Sequence, residues 1–246
     1  NPHGLHDANH YTCAYDMALI GQAAIKNPEF RKITGSRTHT IPATNKNVAR
    51  PLANHHRFIR KTLNYEGVIG GKTGGTAEAK TTLVTFAERN GLTLIAVVLH
   101  VDTSLHAYED TASILDFAFD NYSLYNIEQT ELSNETSFPD LFSSVPFLNK
   151  EDESLIRVGD DSNIVLPVSA NIEDAEKTIT LTPIEELSHG DNVIGKISYT
   201  FAGKYVGFAD ILYYNKDFPI TKEVIESKWP SYLISPETVI ADRTND

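Results

Sequence analysis

The chain has 246 residues, of which 41% are hydrophobic and 22% charged, ordinary for a folded protein of one large or two smaller domains. Its formal net charge of −12 argues against a nucleic-acid surface, which needs clustered Lys and Arg, and its single cysteine, Cys13, excludes an intrachain disulfide. No run approaches the roughly 18 apolar residues of a membrane span, no signal-peptide pattern is present, and the opening Asn1-Pro2-His3-Gly4-Leu5 reads as the middle of something longer.

In chain order, Thr12 is placed to cap a helix whose inward positions are Cys13, Met17, Ile20 and Ala24. Asn27-Pro28 ends it, and a second short helix over 28–33 follows, because proline suits a first helical turn. Residues 39–51, polar and rich in Asn and Thr, read as loop with a strand admissible at the start. Residues 68–71 read as a strand arriving at a sheet edge. Strands over 82–87 and 92–101 flank Asn90-Gly91, a hairpin signal because both turn positions need positive φ. The second strand is almost wholly apolar, which predicts burial on both faces. A helix over 105–121 sets Tyr108, Ala112, Leu115, Phe119 and Tyr122 on one side.

Beyond Ser123 the character changes. Residues 123–162, rich in Glu, Asp, Ser and Asn, read as linker or insertion, and acidic clusters such as Glu151-Asp152-Glu153 as its surface. Short β-prone runs at 164–168, 178–181, 194–201 and 205–213, with a turn at Ala202-Gly203-Lys204, predict a small β-rich unit over 163–214. The tail, 215–246, is weakly patterned and stays unassigned. There is no internal repeat.

The chemistry centres on Lys72-Thr73-Gly74. Such a triplet accompanies S-x-x-K and S-D-N in active-site serine enzymes that act on β-lactams and D-Ala-D-Ala. A lysine ammonium supplies positive charge for a substrate carboxylate and biases nearby proton transfers, and a threonine hydroxyl donates a further hydrogen bond. A glycine leaves the strand edge bare for a peptide. Three residues alone recur by chance, so context decides.

That context resembles the low-molecular-mass penicillin-binding proteins, the serine D-alanyl-D-alanine carboxypeptidases. Asn1-Pro2-His3-Gly4-Leu5-His6-Asp7 is similar to the family's "NPHGL" segment, and His10-Tyr11-Thr12-Cys13-Ala14-Tyr15-Asp16-Met17-Ala18 to its "HYTTAYDMA" helix. Ile41-Pro42-Ala43-Thr44-Asn45 and Tyr108-Glu109-Asp110-Thr111 follow in the family's order. The resemblance is close over 1–122 and looser to about 214. It implies an α+β fold: the C-terminal part of a penicillin-binding transpeptidase-like (β-lactamase-like) domain over 1–122, then a small β-rich domain.

The activity implied is removal of the terminal D-alanine from peptidoglycan stem peptides through an acyl-serine intermediate, without metal or other cofactor. Lys72 is then the candidate catalytic residue. Lys72 and Thr73 then bind the terminal carboxylate, Gly74 makes room for the substrate strand, and Thr76 supports the loop after the triplet. The implied partners are stem peptides ending in D-Ala-D-Ala and β-lactam antibiotics. The implied location is the bacterial envelope, outside the cytoplasm, with membrane attachment only through segments absent from this chain.

Three departures stand against ordinary activity. No S-x-x-K occurs, and the sole S-x-N, Ser169-Ala170-Asn171, follows the triplet, whereas the family carries both motifs upstream of "NPHGL"; truncation is the expected cause. Gly75 stands where the family often has tyrosine or histidine, and Ala107 where it has an arginine that organises charge near the carboxylate site. A non-catalytic peptidoglycan-binding relative is the main rival reading. A class A β-lactamase is disfavoured, since the chain continues more than a hundred residues past the last helix.

Other features have plainer readings. Pro2 and Gly4 work against a helix that would align His3, His6 and His10 as metal ligands. His55 and His56, being adjacent, point apart, and a substrate contact from this pair is the functional alternative. Cys13 reads as a buried small side chain, and Arg57, Arg60 and Lys61 as a solvated face.

Overall fold

The computed structural model describes residues 1, 3–127, 156–159, 162–182 and 187–216, together with the backbone of a strand at Thr238–Ala241. Backbone contacts divide the chain into two units, Asn1–Asn121 and Tyr122–Asp246. The first runs α1 (Ala14–Ile25), α2 (Pro28–Gly35), β1 (Thr38–Ile41), β2 (Arg50–Ala53), α3 (Arg57–Arg60), β3 (Val68–Thr76), β4 (Lys80–Arg89), β5 (Leu92–Val101) and α4 (Ser104–Asn121).

Strands β3, β4 and β5 form an antiparallel sheet in that order. Arg89 pairs with Leu92, leaving Asn90 (φ 51°) and Gly91 (φ 80°) as the two-residue turn that the Asn-Gly pair predicts. Because side chains alternate along a strand, the sheet has two distinct faces. Leu83, Ala87, Ala96 and Val98 pack with Phe58 of α3 and Ala107, Tyr108 and Leu115 of α4. Phe86 and Ile95 face α1 and α2: a Cβ on Gly21 would lie 3.2 and 3.3 Å from their side chains, and Phe30 meets Phe86 edge-on at 6.0 Å. Helices thus cover both faces of β5, yet only Leu92, Ala96 and Val98 are fully buried, so its expected double burial holds in part.

Several expectations are corrected. Cys13, not Thr12, sits at the cap of α1 and makes no side-chain cap bond. Cys13 and Ile20 are exposed, and the helix packs through Met17, Ala18, Gly21, Ala24 and Ile25. By contrast α2 starts as expected, with Asn27 Oδ1 accepting from the N–H groups of Glu29 and Phe30. The expected loop over 39–51 is bounded by an antiparallel ribbon, Thr38 opposite Ala53 through Ile41 opposite Arg50. The strand expected to stop at Gly71 runs on through the triplet to Thr76. Tyr122 lies beyond α4, as the first residue of the next strand.

One cluster ties α4 to the β4–β5 hairpin. The Arg89 guanidinium lies 4.7 Å from the Tyr65 ring and 4.5 Å from the Phe119 ring, and Tyr65 donates to Asp116 Oδ1 at 2.6 Å. Two such cation–ring contacts predict that Arg89→Met lowers the stability of this unit by about 1–2 kcal/mol, read by urea unfolding.

The second unit is one antiparallel sheet: β6 (Tyr122–Asn126), β7 (Ile156–Val158), β8 (Asn163–Pro167), β9 (Glu176–Leu181), β10 (Gly190–Phe201), β11 (Lys204–Asn215) and β12 (Thr238–Ala241). Its order is β12-β9-β10-β11-β8-β6, with β7 pairing β11 beside β8. Ile164, Leu166, Ile194, Ile197, Tyr199 and Ile211 form its core. The turn at Ala202 (φ 50°) and Gly203 (φ 71°) joins β10 to β11. Both ends of the expected linker are strands: β6 pairs β8 and β7 pairs β11, because Leu124, Ile156 and Val158 supply apolar alternation that the surrounding acidic residues hide. The middle of that stretch, 128–155 with 160 and 161, lies outside the described residues, as does the tail apart from Asn215, Lys216 and β12. No described helix is long and apolar enough to cross a membrane.

Candidate active site

The triplet occupies the middle of β3, the outer strand of its sheet among the described residues. Lys72 lies opposite Val84, Thr73 opposite Leu83 and Gly74 opposite Thr82. With Ala53, Asn54, His55 and Gly71, Lys72 and Thr73 line a cleft of about 240 Å³ between this strand and the end of β2. The Lys72 side chain is exposed, and its ammonium donates to the Thr73 carbonyl oxygen. Thr76 Oγ1 accepts the N–H of Ala79 at 3.0 Å, closing the turn into β4, and the Glu78 carboxyl is held below its ordinary range first by the N–H of its own backbone and then by a hydrogen bond with Thr76.

The glycines of β3 are set by what lies against the strand. A Cβ on Gly70 would sit 2.7 Å from Thr34 Oγ1, and one on Gly74 would sit 2.5 Å from Thr82 Oγ1. The missing side chain at Gly74 is therefore already required inside the sheet. At Gly71 a Cβ would fall 2.4 Å from His56 Cδ2, 2.5 Å from His56 Nε2 and 2.6 Å from the Val84 carbonyl oxygen.

His56 is the residue whose place the sequence does not reveal. Its side chain is 1% exposed, bonded through Nε2 to Thr85 Oγ1 at 2.9 Å and set edge-to-face on Tyr108 at 5.4 Å. Nδ1 is buried with no hydrogen-bond partner among the described residues. Protonation would place a charge and a second N–H where no acceptor waits, and burial lowers the pKa from 6.5 to about 4. His55 instead is exposed and lines the cleft. Asn54, just before them, fixes the segment: its Nδ2 donates to the carbonyls of Thr34 and Ser36, and its Oδ1 accepts from the His56 N–H.

The remaining candidates are dispersed. Ala107 is fully buried between Phe58, Leu83, Val98 and Tyr108 and brings no charge to the cleft. Gly75 is exposed beside the Lys80 carbonyl. Arg57 is half-buried over the Tyr108 ring, whereas Arg60 and Lys61 are exposed. Ser169-Ala170-Asn171 belongs to the second unit, where Asn171 caps a 3-10 turn together with Asp174.

An antiparallel sheet sandwiched by helices, with Lys-Thr-Gly on its outer strand and a β-rich unit following in the chain, defines a transpeptidase-like fold of the penicillin-binding class. Residues 1–103 match the family model of D-alanyl-D-alanine carboxypeptidases. It is 32% identical over 191 residues to D-alanyl-D-alanine carboxypeptidase DacF of Bacillus subtilis, covering 74% of this chain and 48% of that protein. It is 29% identical over 220 residues to DacA of Haemophilus influenzae, covering 85% of this chain and 50% of that protein. Penicillin-binding protein 5 of Haemophilus influenzae matches in structure with a TM-score of 0.52 at 27% identity, over 87% of this chain and 59% of its own. The chain spans about half the length of the curated relatives it matches.

Proposed function

We propose that this chain forms the substrate-binding part of a bacterial serine D-alanyl-D-alanine carboxypeptidase, with the nucleophilic serine supplied by residues outside this sequence. The whole enzyme releases the terminal D-alanine of peptidoglycan stem peptides through an acyl-serine intermediate, and works in the envelope, where β-lactams also reach it. The observation that carries the reading is Lys72 and Thr73 standing together in a cleft beside the outer strand edge. A stem peptide laid along β3 as an added strand brings its terminal carboxylate to that ammonium and hydroxyl. Lys72 then also biases proton transfer at the serine.

A fluorescent penicillin tests this. The 246-residue chain has no S-x-x-K serine and is expected to take no covalent label. The same reading frame extended upstream is expected to encode S-x-x-K and S-x-N, and its product to label. An adduct on the 246-residue chain would overturn this account of the site. The second reading, a non-catalytic peptidoglycan-binding relative, is favoured by Ala107, which is locked in the core and offers the cleft no cation. An extended frame without the serine, or one whose product stays unlabelled, would select it.

A further inference from the structure

Twelve residues make α1, and apart from the Tyr15 hydroxyl only Asp16 and Gln22 among them bring polar side chains. A helix that is apolar all round is one that is packed all round. Among the described residues α1 is packed on one side only. Gly21 sits so close to the sheet that a Cβ there would lie 3.2 Å from Phe86 and 3.3 Å from Ile95. Tyr15 (71% exposed), Leu19 (47%) and Ile20 (59%) are left open. Such exposure is not general in this unit: from Ala53 to Ser104, a stretch described throughout, no large hydrophobic side chain is exposed. The strand beneath α1 is open as well. Among the described residues β5 is an outer strand of its sheet. Arg89 opposite Leu92 closes the two-residue turn, so Leu94 and Ala96 bond to β4 while Thr93, Ile95 and Val97 turn their N–H and C=O groups to the unpaired side. Of the ten residues of β5 only Thr93 and His100 are polar. A long apolar edge of this kind is one that folded proteins pair or cover.

We infer that the open side of α1 and the free edge of β5 are one docking surface, and that its occupant is the polypeptide preceding Asn1 in the whole protein. That polypeptide lays a strand along β5 and apolar side chains over Tyr15, Leu19 and Ile20. The two parts of the surface are continuous, since α1 meets β5 where Gly21 lies on Ile95. The chain spans about half the length of the curated relatives it matches, so as much polypeptide again is there to form the added layer. The surface also suits a permanent neighbour. Asp16 is the one charged residue of α1, so association rests on apolar burial and backbone pairing, as in obligate interfaces. The inference rests on the carboxypeptidase reading in placing residues ahead of Asn1. On that reading the serine belongs to the same residues, and docking on α1 and β5 is what holds it in register with Lys72.

The test compares the 246-residue chain with the product of the reading frame extended upstream. By hydrogen exchange, the amides of Ile95 and Val97 should exchange at least about 10-fold more slowly in the longer product, relative to those of Leu94 and Ala96, which β4 already bonds. Leu19→Asp should lower the Tm of the first unit by about 6 °C in the longer product and by no more than about 1 °C in the 246-residue chain, because position 19 is buried only in the former. Failure of the longer variant to fold while the shorter one folds is the extreme of the same result. Unchanged relative exchange, or an equal effect of Leu19→Asp in both proteins, would overturn the docking surface, and a longer product that still takes a fluorescent penicillin would leave the carboxypeptidase reading in place. Protected β5 amides in a longer product without an S-x-x-K serine would do the reverse. Sedimentation tests the other occupant, a second copy: dimers of the 246-residue chain that Leu19→Asp dissociates would assign the surface to self-association and overturn the inference. A gene with nothing translated ahead of Asn1 would overturn both.

Discussion

Replacing Gly71 with alanine should destabilise the first unit by about 3 kcal/mol, a larger effect than any exposed substitution in the cleft would have. The new methyl would meet two atoms of the His56 ring at 2.4 and 2.5 Å and the Val84 carbonyl oxygen at 2.6 Å. Neither neighbour has somewhere to go. The Val84 carbonyl is backbone of β4, the strand paired with β3, and the imidazole is hemmed in by Phe58, Tyr108 and Thr85. Relief by rotating the ring would break the Thr85 bond, adding about 1 kcal/mol to the packing cost. Relief by moving β3 would carry Lys72 and Thr73 away from His55. Amide exchange along β4 reads the change in opening free energy. Gly75→Ala is the control: its Cβ has a single close neighbour, the Lys80 carbonyl at 3.1 Å, in an exposed stretch, and should cost about 1 kcal/mol or less. Wild-type exchange rates in Gly71→Ala would mean that His56 does not press on the strand.

The parts of the fold that could be read from the sequence are those with local signals. Asn27-Pro28 fixes the start of α2, Asn90-Gly91 and Ala202-Gly203 fix two hairpins, and the apolar stripe of Tyr108, Ala112, Leu115 and Phe119 fixes the packed side of α4. The inward side of α1 could not be read because Ala14–Ile25 is apolar nearly all round, so periodicity does not select a face. Tyr15, Leu19 and Ile20 remain exposed while Gly21, with no side chain to register in a hydrophobic pattern, makes the contact with Phe86 and Ile95. Strand β7 was hidden for another reason: three residues cannot show alternation against acidic flanks, and its partner β11 lies some fifty residues away.

The candidate site divides the same way. Lys72, Thr73, Gly74 and Thr76 could be named as candidates because the triplet is contiguous and a hairpin follows it, and the structure sets Lys72 and Thr73 in the cleft. His56 was not, since its environment comes from Thr85 on β4, Tyr108 on α4 and Gly71 on β3, none near it in sequence. One local sign pointed toward it. Paired glycines before Lys72 imply that something presses against each side of the strand, and the structure supplies Thr34 on one side and His56 on the other.

The buried imidazole has a second consequence, in acid. In the unfolded chain a histidine takes its proton near pH 6.5, whereas in the folded protein burial delays protonation of His56 to about pH 4. Between those values the unfolded state holds more protons, so stability rises with pH across the window and falls as the medium is acidified. The shift amounts to about 3 kcal/mol lost from the first unit between pH 6.5 and pH 4. Carboxylates complicate the raw profile. Glu88, held below its ordinary range chiefly by its hydrogen bond from Arg31, and Asp102, held down by Lys80, stabilise the fold once ionised and lose that contribution as acid protonates them. They act alike in a variant that keeps them. His56→Asn should therefore be less stable than the wild type at pH 7, where it forfeits ring packing against Phe58 and Tyr108, and should draw level with it or overtake it by about pH 4.5. Urea unfolding of both proteins at the two pH values measures that difference, and parallel pH profiles would show that His56 is not held neutral in the fold.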